Sequence, residues 1–112
     1  MTTKEKGNEM KFTVVFSGFE SGCVAHTSSV FCGDSLVKAL EWYDLVFDEN
    51  HRLYGYSRTI EVHDDKRALI GEVRRRSQVK HGYTNHWFAV KSVKHGKCEF
   101  QSIPKILEFL AK

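Results

Sequence analysis

Met10, Phe12, Val14 and Phe16 alternate with Lys11, Thr13, Val15 and Ser17. A period of two describes an extended strand with one face buried and the other turned to water. The period returns farther along, where Tyr54, Tyr56, Ile60 and Val62 alternate with Ser57, Thr59, Glu61 and His63. Half-buried strands need a second layer to cover their apolar face.

Two segments of helical period can supply that layer. Leu36, Val37, Leu40, Tyr43, Val46 and Phe47 fall on one helical face, with Lys38, Glu41 and Asp44 largely opposite. Gly33-Asp34-Ser35 precedes this helix and offers an N-cap, and Asp48-Glu49-Asn50 ends it. Ile103, Ile106, Leu107 and Leu110 repeat the pattern near the C-terminus. There Ser102 is the cap, and Pro104 sits in the first turn, where a missing N–H is tolerated.

The remaining segments read as strands and turns. Cys23 to Cys32 is expected to pair back on the first strand across a Gly18–Gly22 turn. Asp64-Asp65-Lys66 connects the strand ending at His63 to one over Arg67–Arg76, whose apolar content is Leu69, Ile70 and Val73. A polar loop follows from Ser77 to Asn85. The strand from His86 to Val93 is apolar on both faces and therefore central in the sheet. His95-Gly96 reads as a two-residue turn leading into a short strand from Lys97 to Gln101. The expected fold is α+β, in the order β(β)αββββα. It is an antiparallel sheet of five to six strands with two helices on one face. One domain spans residues 10–112, after a disordered tail over residues 1–9.

Composition narrows the function classes. With 41% hydrophobic and 28% charged residues over 112 positions, the chain has the make-up of one globular domain. No apolar run approaches the roughly 18 residues of a membrane span. Three cysteines and a polar N-terminus argue against a secreted disulfide framework, and the expected compartment is the cytoplasm.

Catalytic and cofactor signals are weak. Cys23, His26 and Cys32 have zinc-ligand chemistry, but the spacing is irregular and a fourth ligand, Cys98 or His51, would depend on the fold. Small buried thiols explain the same residues. Asp64-Asp65 could form a carboxylate pair, although adjacent aspartates are commoner in turns. Neither a nucleophile elbow nor a phosphate loop is present. The favoured reading is therefore non-enzymatic, with no metal and no cofactor, and a small enzyme is the lesser alternative.

The net charge of +3 is only mildly basic, but its distribution is uneven. From Arg74 to Lys97 every charged residue is basic: Arg74, Arg75, Arg76, Lys80, Lys91, Lys94 and Lys97, accompanied by His81, Tyr83, Asn85, His86, Trp87 and His95. Cations interleaved with aromatics suit phosphate contact and base stacking. The expectation is a binding module for nucleic acid or another polyanion, using Arg74, Arg75, Arg76, Lys80, His81, Tyr83, Trp87, Lys91, Lys94 and Lys97. An acidic protein partner, met by an adaptor or a small phage-like inhibitor, would use the same strip. A solvated sheet edge guarded by charge is the plain alternative. The expected assembly is a monomer or a weak symmetric dimer paired through a free sheet edge.

Overall fold

The computed structural model describes residues 9–20, 24–50 and 54–112. Six strands and two helices follow one another: β1 (Lys11–Glu20), β2 (Val24–Phe31), α1 (Leu36–Asn50), β3 (Tyr54–His63), β4 (Leu69–Lys80), β5 (Tyr83–Ser92), β6 (Gly96–Phe100) and α2 (Ile103–Ala111). The strands form one sheet in the order β2-β1-β3-β4-β5-β6, with every neighbouring pair antiparallel. This is the expected α+β order. The expected N-terminal tail lies outside the described residues apart from Glu9.

The period-two pattern builds the core directly. Val14 lies opposite Ile60, Ile60 opposite Val73, and Val73 opposite Val90. These four side chains form a row across four strands, and none is more than 1% exposed. α1 covers the row from above β1 and β3, with Leu36, Ala39, Leu40, Tyr43 and Val46 buried. α2 covers it from above β5 and β6 through Ile106 and Leu110. Each such side chain contributes about 1.5–3 kcal/mol by leaving water. Both helices start as their sequences require. The Ser35 hydroxyl accepts from the Lys38 N–H at 3.0 Å, and the Ser102 hydroxyl from the Lys105 N–H at 3.4 Å. Val37 is an exception to the expected face, being 54% exposed, because the buried stripe runs through Leu36, Ala39 and Leu40.

β1 runs on to Glu20, paired with β2 through most of the expected Gly18–Gly22 turn. Four other details differ from the sequence reading. The expected polar loop over 77–85 is instead a continuation of β4 and β5, closed by His81 (φ 53°) and Gly82 (φ 81°). Positive φ at both central residues is the requirement of the type I′ hairpin turn. Neither face of this stretch is buried, so it carries no apolar alternation by which a strand could be read. Second, the β5–β6 turn has three residues, since Ser92 pairs with Gly96. The buried Ser92 hydroxyl accepts from the N–H groups of Lys94 (3.2 Å) and His95 (3.1 Å), and Gly96 takes φ 80°. Third, β5 has a neighbour on each side but lies one strand from the edge. Last, a register shift in the β3–β4 ladder pairs Val62 with Gly71 and His63 with Leu69. That bulge turns Leu69 out (42% exposed) and lets Ile70 pack on the core.

Among the described residues, no helix is long and apolar enough to cross a membrane.

Candidate functional site

β4 and β5 outrun their other neighbours. Pairing of β4 with β3 ends at Val73, and pairing of β5 with β6 begins at Phe88. Between these limits, among the described residues, Arg76–Lys80 and Tyr83–Trp87 pair with each other alone. The result is a two-stranded ribbon extending about 17 Å from the sheet.

Alternation along β4 sends Val73 to the helices and Arg74, Arg76, Gln78 and Lys80 to the opposite, uncovered face. The register sets Ala89, Trp87, Asn85 and Tyr83 across from those four. It also sets Lys91 across from Glu72 and Lys97 across from Lys91. Seven of the ten residues singled out in the sequence thus share one face: Arg74, Arg76, Lys80, Tyr83, Trp87, Lys91 and Lys97. An open depression of about 750 Å³ crosses β4, β5 and β6 here, lined by Arg74, Arg76, Trp87, Lys91 and Lys97 together with Glu72 and Glu99. Trp87 is half-buried, and its indole Nε1–H is closed off from solvent with no hydrogen-bond partner among the described residues.

The other three residues stand apart. Arg75 points to the helix side, where its Nη1 lies 2.6–2.7 Å from both carboxylate oxygens of Asp44. Its guanidinium sits 5.7 Å from the Phe88 ring centre. Its backbone N–H, past the end of β3 pairing, donates to the Tyr43 hydroxyl at 3.2 Å. Arg58 reaches the same spot from β3, stacking 4.0 Å from the Tyr43 ring centre and donating to the Tyr43 carbonyl. This cluster closes the fork where β4 parts from β3. His81 forms the ribbon tip, and Lys94 lies in the β5–β6 turn. Gln78, Glu72 and Glu99 are members of the open face that the sequence reading missed. Extending the β4 alternation beyond Arg76 would have found Gln78.

The zinc-type residues do not form a described site. Cys23 and His51 lie outside the described residues, as does the side chain of His26. Cys32 is buried, its Sγ–H points to the Val30 carbonyl at 3.5 Å, and burial pushes its thiol pKa up. Cys98 is exposed on β6. Among the described residues no three His, Cys, Asp or Glu side chains are grouped to hold a metal. The Asp64 carboxylate is used within its own turn, where Oδ1 accepts from the N–H groups of Lys66 and Ala68, each at 2.9 Å. Those two bonds, the Ala68 N–H first, hold its pKa below the usual aspartate value.

The chain matches no known family model, no curated protein and no solved structure.

Proposed function

We propose that this chain is a small non-enzymatic binding module that holds nucleic acid on the uncovered face of β4, β5 and β6. The observation that carries this reading is the gathering of Arg74, Arg76, Lys91 and Lys97 around Trp87 in one open depression. Cations on a sheet face meet phosphates and release counterions, while an aromatic ring offers a plane for a base. The ribbon extends the surface with Lys80 and Tyr83. The module works in the cytoplasm as a monomer or a weak symmetric dimer. Light scattering that found a trimer or larger species would contradict that assembly.

A mobility-shift titration tests the main reading. Binding to DNA or RNA should be clear at about 50 mM salt and fall steeply by about 200 mM. Absence of any shift at the lower salt would remove the proposal. Glu72 and Glu99 lie in the same depression and favour a second reading, a protein partner of mixed charge. Recovery of one stoichiometric protein partner, together with no shift, would put that reading first.

A further inference from the structure

We infer that the nucleic acid held on this face is single-stranded, with bases stacked on Trp87 and Tyr83; the inference rests on the nucleic-acid reading above. Trp87 and Tyr83 are four residues apart on β5 and share the uncovered face, which sets them about 14 Å apart. Tyr83 is 74% exposed, on a ribbon with no core to stabilise. An aromatic ring left in water at such a position adds nothing to the core and has its face open to a stacking partner. Between the two rings, Asn85 lies opposite Gln78. Their amides carry both donors and acceptors and suit the edges of unpaired bases. Arg74, Arg76 and Lys80 run alongside on β4, with Lys97 on β6. The path is therefore a line of stacking and amide groups flanked by cations.

Duplex DNA fits this surface less well. Its bases already stack on one another and show only their edges in the grooves, so ring planes on a sheet would find no base to stack on. From Lys91 to Tyr83 the path is about 27 Å long, matching the short end of known single-strand site sizes, about four nucleotides.

The chain has two tryptophans, and Trp42 lies on α1 on the other side of the sheet, so Trp42→Phe leaves Trp87 as the only indole reporter. This protein would be titrated at about 50 mM salt with a short oligothymidylate, a duplex of equal length, and inorganic polyphosphate. The oligothymidylate should quench Trp87 and bind roughly tenfold tighter than the duplex, and polyphosphate should leave the emission unchanged. Tyr83→Ala, at an exposed position, should weaken oligothymidylate binding by roughly fivefold or more without lowering the melting temperature. Trp87→Ala should weaken it further. Equal or tighter duplex binding, or oligothymidylate binding with neither quenching nor loss in Tyr83→Ala, would overturn the inference and leave the nucleic-acid reading standing. If neither nucleic acid binds, both readings fall.

Discussion

Nη1 of Arg75 contacts both carboxylate oxygens of Asp44, at 2.6 and 2.7 Å, and so the middle arginine of a triplet is held against a helix while its two neighbours face the other way. Three adjacent basic residues therefore divide into one structural tie and one exposed pair. The division follows from strand alternation and from which face the helices cover.

Unequal effects are expected within the triplet. Arg75→Ala should lower stability by about 1 kcal/mol, since its ion pair is part-exposed and its stacking on Phe88 is loose. That is a fall of roughly 4 °C or more in melting temperature. Nucleic-acid affinity should stay within about twofold of the parent, because Arg75 lies off the binding face. Arg74→Ala combined with Arg76→Ala should reverse the pattern, with weaker binding and an unchanged melt. Thermal melts beside binding at one fixed salt concentration decide it. Unchanged affinity in the double variant would take the β4 face out of the binding surface.

Gly71 is set where a side chain has no room. A Cβ there would lie 2.5 Å from Leu110 Cδ2 and 2.6 Å from the Lys91 carbonyl oxygen. The side chain could swing away, but the backbone oxygen of the paired strand cannot. Gly71→Ala should cost about 1–3 kcal/mol, read by urea unfolding. A variant as stable as the parent would mean that the backbones of β4 and β5 are not so closely apposed at Gly71.

Arg67 takes φ 69° in the β3–β4 turn, where a Cβ is unfavourable. Arg67→Gly should raise stability by about 1 kcal/mol. Calorimetry showing a loss instead would indicate that the arginine side chain contributes more than its backbone strain costs.

Asp64 gives a pH dependence with a defined sign. Its folded pKa is depressed by the N–H groups of Ala68 and Lys66, so the ionised form is favoured in the folded state. The stabilisation is therefore present above the unfolded value of about 3.9, and it is lost as pH falls through the lower folded value. Melting curves of the parent and Asp64→Ala should differ most near neutral pH and converge in acid. A gap that stayed constant down to the acid limit would assign the turn's stability to something other than this carboxylate.

Most of the architecture was legible from apolar spacing. Phe12 and Val14, Ile60 and Val62, and Ile106 and Leu110 are buried on the faces their periods imply. Ser35 and Ser102 cap the helices they precede. The failures have two physical sources. Period is visible only where one face is buried, so the bare ribbon over Ser77–Asn85 resembled a loop. A bulge at Ile70 shifted the alternation that a straight strand would have kept through Leu69.

The sequence by itself determined the kind and order of the elements, with the second strand left open, because local period and capping chemistry depend on neighbours in the chain. It also determined that the charge between Arg74 and Lys97 is wholly basic. Only the tertiary structure decided which of those charges stand together. Adjacent strand residues face opposite ways, and the face left open depends on where α1 and α2 settle. With both helices on the Val73 side, Arg74, Arg76, Lys91 and Lys97 converge around Trp87, and Arg75 is left to Asp44.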